Sequence, residues 1–377
     1  MRRVIGRLAM RWGRVRAAGD RGAIGVTVGV LLGSGVLLGV GAIVVDVGQL
    51  YVERAELQNG ADAGALAMAK GCALGSTTCL PATAATYANA NAKDGAAAVD
   101  LVCGYAGAGV LPQCPAPTGR LASCPSPQPA TGTTYVEVHT STRTAGGSTL
   151  LPPVFARTLL GKESYDGTNV GACARAVWGS PKASQAFAMT ISYCEWMKAT
   201  NNGTKFAPAP PYPPNPAPTP AMDRVLKLHT TSKTSCPGGP AGADGPGMFG
   251  WVDDPGGACS VHVSGTSYAA DTGASAGNSC KALLASAWAS RQVIFIPVFT
   301  AATGNGSGGS YTLAGFGAFV VTGYHLPGAD ASDWLKPSNN CKGSDKCING
   351  YFTQGLVPSS GVIGGPDLGV SVIQLTG

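Results

Sequence analysis

The sequence predicts an α+β protein: a long N-terminal transmembrane-plus-stalk helix, followed by a disulfide-stapled, β-rich extracytoplasmic body. Three observations predict it. Residues 23–45, AIGVTVGVLLGSGVLLGVGAIVV, carry no charge. All twelve cysteines lie at or beyond Cys72. The chain also holds 55 glycines and 27 prolines, a composition that favours turns and short strands over long helices.

Residues 1–22 form a cytoplasmic Arg-rich tail. Arg2, Arg3, Arg7, Arg11, Arg14, Arg16 and Arg21 stand there against one acid, Asp20. The formal net charge of the whole chain is +6, so the tail supplies all of it and the remainder is neutral. A nucleic-acid-binding protein needs a basic face on its folded body, and no excess charge is left to make one. No nucleic acid is expected as a partner.

Residues 23–45 would make a helix of about 34 Å, enough to cross a hydrocarbon core of about 30 Å. Arginines flank only its N-terminal end, so the N-terminus is expected in the cytoplasm and the C-terminal body outside. The cysteines then lie in an oxidising compartment, where an even number spread widely reads as disulfides. Zinc would want paired ligands at C-x-x-C spacing, and none occurs. The apolar run is longer than a signal-peptide core, and Asp46-Val47-Gly48 is not a small-x-small cleavage site, which favours a retained anchor. Gly25, Gly29 and Gly33 recur every fourth residue, a spacing that lets two helices approach closely in lipid.

Residues 46–71 continue as a stalk helix. Leu50, Leu57, Ala61, Ala65 and Met68 make one apolar stripe, and Arg54, Gln58 and Asp62 make a polar one. Small side chains at 61, 65 and 69 would let a sheet or helix pack close to the backbone. Asp46-x-Gly48, then Arg54-x-x-Leu57-Gln58-x-x-Ala61-Asp62-Ala63-x-Ala65-Leu66-Ala67-x-Ala69, directly after a glycine-rich span, resembles the N-terminal region of TadG-like proteins of the tight-adherence machinery that assembles Flp pili. The resemblance covers roughly residues 20–72. It implies a membrane-anchored structural component of pilus assembly or surface adhesion, without catalysis or cofactor, whose partners are the membrane and other pilus-assembly or secretion components. Members of that family often carry a von Willebrand type A domain with a metal-binding Asp-x-Ser-x-Ser run. Asp271-Thr-Gly-Ala-Ser275 and Asp330-Ala-Ser332-Asp333 both miss that spacing. Related pseudopilins are cut after a glycine with Glu at the fifth following position; after Gly22 that residue is Thr27. The chain therefore looks like an anchored accessory component rather than a processed pilin.

The body divides into a first α/β section at 72–206, a proline-rich linker or loop at 207–221 (APAPPYPPNPAPTPA), and a β-rich second section at 222–377. In the first section Cys72 and Cys79 would close a short loop. Pro81–Lys93 reads as a helix and 150–160 as a short one. Cys114 and Cys124 would staple a proline-rich loop, and strands are expected at 134–140 and 170–178. In the second section Val225–His229 reads as a strand. Val293–Phe299 and Tyr311–His325 make a hairpin across the glycine-rich 304–309 turn, and Cys341 and Cys347 would close another short loop.

One alternative reading is an anchored cell-envelope hydrolase. Asp271-Thr272-Gly273-Ala274-Ser275 looks like the catalytic neighbourhood of aspartic proteases, a chemistry that needs two facing aspartates where this chain has one copy. Another is a surface-binding module built on Trp251, Tyr268 and Trp334, residue types that more often serve as core. Gly265-Thr266-Ser267 lacks the histidine partner of a serine nucleophile.

Overall fold

The computed structural model describes residues 24–33, 35–75, 78–107, 111–116, 124, 129–159, 166–228, 248–271, 277–303, 309–339, 341, 343–358 and 360–376. The arginine-rich tail at 1–22 lies outside them.

The single helix expected over 23–45 is found in two pieces, α1 at 24–33 and α2 at Val36–Ala73. Gly35 sits between them at φ 69, a left-handed conformation that costs glycine little and that a regular helix cannot contain. Its amide closes α1 onto the Leu32 carbonyl at 3.2 Å, and its own carbonyl accepts from Gly39 at 2.8 Å to start α2. Consequently, among the described residues no helix is long and apolar enough to cross a membrane: α2 meets Asp46 ten residues after it begins.

α2 ends at Ala73, where the Leu74 amide returns to Lys70 O and the Cys72–Cys79 disulfide closes the turn. α3 (Pro81–Asn91) starts with proline at its first position, where no amide is missed. It runs back along α2, with Ala84 beside Gly64 and Ala88 beside Gly60.

Three strands follow: β1 (Ala97–Tyr105), β2 (Thr134–Thr142) and β3 (Gly171–Gly179), with the short α4 (Ala156–Leu159) between the last two. Next come β4 (Pro181–Phe187), β5 (Met189–Ser192), α5 (Tyr193–Thr200), β6 (Arg224–Lys227), β7 (Phe249–Trp251), β8 (Ser260–Val263) and β9 (Ser267–Ala269). After α6 (Asn278–Ser290), β10 (Val293–Thr303) and β11 (Ser310–Leu326) form the expected antiparallel hairpin, paired from Val293↔Val320 to Thr303↔Ser310. Its turn at 304–308 lies outside the described residues. The chain finishes with β12 (Ala329–Ala331), β13 (Cys347–Thr353), β14 (Gly355–Leu356), β15 (Val362–Ile363) and β16 (Val370–Leu375).

These strands make a five-stranded sheet, β1-β2-β3-β16-β14, a larger sheet, β6-β13-β11-β10-β5-β7, with β9 and β12 on β11, and a small sheet, β15-β4-β8. β16 returns from the C-terminus to pair with β3, Val372↔Gly179 to Leu375↔Ala176. Its Val370 and Val372 enter a core with Phe316 and Ala318 of β11, so one strand ties both large sheets. The proline-rich segment lies along β13: Ala207 N donates to Phe352 O at 3.0 Å, and Tyr212 Oη meets Tyr351 Oη at 2.6 Å. Mixed helix and sheet with a long N-terminal helix, the α+β class, is thus the observed architecture.

Candidate functional site

The most developed constellation outside the general core is where α2 docks on the five-stranded sheet. β2 and β3 alternate, so Val136 and Val138 with Ala174, Ala176 and Trp178 face the helix. Against them α2 presents Ala61, Ala65, Met68 and Ala69, each fully buried. Leu57 packs a turn earlier with Ala88, Ala97 and Ala172. Alanines here bring the helix axis close to the sheet. On another side, a Cβ built on Gly60 would lie 3.1 Å from Ala88 Cα, and one on Gly64 would lie 3.3 Å from Ala84 Cα. These two glycines let α3 approach backbone to backbone.

Hydrogen bonds fix the dock's register. Gln58 Nε2 donates to Asp62 Oδ1 at 2.9 Å, one turn along the helix, and to the Cys173 carbonyl of β3 at 3.1 Å. Thr140 Oγ1 of β2 donates to Leu57 O at 3.0 Å. The Lys93 amide donates to Glu56 Oε2 at 2.8 Å. Burial pushes the Glu53 carboxyl above its ordinary range, opposed by a hydrogen bond with Thr142. At the lower end, Asp46 accepts backbone amides across more than a hundred residues of sequence. Val154 N reaches Oδ1 at 2.7 Å, Phe155 N reaches both oxygens at 3.1 and 3.2 Å, and Ala156 N reaches Oδ2.

The residues that build this dock, from Asp46 to Ala69, fall within one stretch of sequence that also includes the apolar run. Residues 25–70 match the family of Flp pilus-assembly TadE/G-like proteins. The match takes in a minor part of the 377-residue chain. No curated protein and no solved structure matches the chain.

The structure divides the TadE/G-like segment by role. Leu57, Ala61 and Ala65 are the packing face, Gln58 and Asp62 are the polar edge, and Asp46 is a clasp for the 154–156 loop. Arg54 is exposed and makes no ion pair among the described residues. Gly48, Gly25, Gly29 and Gly33 point into open space, since a Cβ on any of them would meet nothing within 4 Å.

The far face of the same sheet carries a second cluster that sequence reasoning missed. Glu137 and Arg175 are cross-strand neighbours, with Arg175 Nε and Nη2 at 2.8 and 2.7 Å from Glu137 Oε1. His139 Nε2 lies 3.4 Å from Glu137 Oε2. All three are buried. Burial alone would raise the Glu137 carboxyl, but hydrogen bonds and charge from His139 and Arg175 outweigh it and hold the carboxyl below its usual range. The signal was present in β2, where the ionisable Glu137 and His139 alternate with Val136 and Val138.

Two groups of metal-ligand atoms gather around this cluster, one with Cys124, Glu137, His139 and Cys173, the other with Cys103, Cys114 and Glu137. The donor set does not fit a metal, because all four sulfurs are spent in disulfides and Glu137 serves Arg175.

Disulfides join Cys72–Cys79, Cys103–Cys114, Cys124–Cys173, Cys259–Cys280 and Cys341–Cys347. Cys194 is disulfide-bonded too, and among the described residues no cysteine is free. The staple expected between Cys114 and Cys124 is corrected: each cysteine is instead tied to a different strand, Cys114 to Cys103 of β1 and Cys124 to Cys173 of β3. Two strands that flank β2 on its far face offer anchor points that the spacing within the loop does not reveal.

Asp271 is exposed, and its amide donates to Trp251 O at 3.0 Å; residues 272–276 lie outside the described residues. Trp251 is buried between Phe187 and Phe249. Trp334 packs edge-on to Tyr351 beneath the Arg291 guanidinium. Tyr268 Oη accepts the Ser264 and Gly265 amides, both at 2.7 Å, and so closes a turn.

Proposed function

We propose that this protein is a non-catalytic, membrane-anchored component of Flp-type pilus assembly or surface adhesion. The apolar segment at 23–45 is its anchor, the arginine tail stays in the cytoplasm, and the body lies outside the membrane. The observation that carries the reading is the TadE/G-like match over residues 25–70, which runs from the apolar segment through the whole dock. A rigid α2–sheet junction would hold the body at a fixed orientation to the anchor. That is a structural task, and it accords with Asp46, Leu57, Gln58, Ala61 and Ala65 being spent on packing and hydrogen bonds.

The disulfides accord with an oxidising compartment. The segment's side chains also support an anchor, since Val26, Val30, Val40, Ile43 and Val44 are all exposed in the isolated chain. In lipid those side chains cost nothing, whereas in water a patch of this extent is unfavourable. Gly25, Gly29 and Gly33 leave room for a neighbouring helix of the assembly machinery.

The test is in-cell crosslinking to other pilus-assembly components. Gly29→Leu and Gly33→Leu are expected to insert normally and to lose crosslinks. Undiminished crosslinks to every component would remove the helix-pairing part of the proposal. Absence of any crosslink in the parent protein would remove the pilus role itself.

A further inference from the structure

We infer that Val154 and Phe155 form a second contact with the bilayer, set at the membrane boundary by Asp46. The inference rests on the anchor reading above and extends it to a part of the chain far from the anchor in sequence. Asp46 follows the apolar run directly, one helix step of about 1.5 Å beyond Val45. Its carboxylate accepts the amides of Val154, Phe155 and Ala156, so these residues sit at the level where the apolar segment ends. Both side chains remain exposed, Val154 by 53% and Phe155 by 44%, although each is large and apolar. An apolar pair held at that height has the interfacial region of a bilayer beside it.

The loop is built to hold this position. Its base is clamped by an antiparallel bridge, with Leu151 N donating to Thr168 O at 2.8 Å and Thr168 N donating to Leu151 O at 3.3 Å. Pro152 and Pro153 then restrict the backbone up to Val154. The tip is clamped by Asp46. A charged side chain at a membrane exit is ordinarily solvated by water; here it is spent on carrying two apolar residues to the same boundary. The anchor and the loop would give the body two points of attachment, which limits its tilt.

The experiment places a photoreactive diazirine amino acid singly at position 36, 87 or 155 of the full oxidised chain. The chain is reconstituted in vesicles of phosphatidylcholine and phosphatidylglycerol. Tyr87 is an exposed control on α3, which at that point lies beside Gly60, about 21 Å along α2 from Asp46. Lipid adducts are expected at 36 and 155 and only background at 87. Adducts at 36 with background at 155 would overturn the second contact and leave the anchor standing. Background at 36 would overturn the anchor reading, and this inference with it. Adducts at 155 to protein but not to lipid would likewise overturn it. In Asp46→Ala the yield at 155 is expected to fall to the level at 87 while that at 36 is kept. An undiminished yield at 155 would overturn the role given to Asp46.

Discussion

The two halves of α2 have the same secondary structure and opposite fates. From Leu57 to Ala73 one apolar face, Leu57, Ala61, Ala65, Met68 and Ala69, is packed against sheet and α3, and Ala65 is wholly inaccessible. Between Val36 and Val52, Val36, Val40, Ile43, Val44, Val45, Val47 and Val52 are exposed, and Tyr51 is 71% exposed. The first half is rich in valine, isoleucine and leucine, and the second half is rich in alanine. Exposed bulk is concentrated in the first half, and small residues sit where strands and a helix come close in the second. Hydrophobicity therefore does two different jobs in one continuous helix. In the second half it closes a core within the chain. In the first much of it stays exposed.

The largest expected effect lies beneath the docked half. Arg175→Met leaves Glu137 buried without its cation and is expected to cost about 3–5 kcal/mol in urea unfolding of the detergent-solubilised chain. The same pair sets a pH dependence. Since the native Glu137 carboxyl is held below its ordinary range, the folded chain takes up that proton at lower pH than the unfolded chain does. The stabilisation is full at neutral pH and is lost as acid carries the pH down through the depressed value. Glu137→Gln is expected to flatten that part of the melting-temperature profile.

Next in size is a paired glycine test. Gly64→Leu forces a side chain against the α3 backbone and is expected to cost about 1–3 kcal/mol. Gly48→Leu, on the open half, is expected to be neutral or to stabilise by up to about 1 kcal/mol through helix propensity. Equal losses at both positions would erase the distinction between the halves. The smallest effect belongs to Tyr51→Ser, which is expected to stay within about 0.5 kcal/mol because the ring contacts so little of the body.

Local pattern made much of this legible. The stripe through Leu57, Ala61, Ala65 and Met68 identifies the packing face of α2, and the alternation in 134–140 and the run at 170–178 identify β2 and β3 to within two residues. The 293–299 and 311–325 runs identify the main hairpin, although β10 extends to Thr303. Pairing across long separations was not legible. Nothing within VSVIQL announces that β16 will lie beside β3, and nothing near Asp46 announces the amides at 154–156. The helix break at Gly35 was missed for the opposite reason: an uncharged run masks a glycine whose left-handed conformation interrupts it. Short strands such as β7, β9 and β12 carry too few residues for alternation to register, and they form because a neighbour is there to pair with them.

What surrounds residues 24–45 decides whether the apolar segment is an anchor. Membranes from cells expressing the full chain, washed in alkaline carbonate and floated through a density gradient, measure this directly. The chain is expected to remain with the floated lipid. Its release into the carbonate supernatant, alongside peripheral proteins, would contradict the central claim.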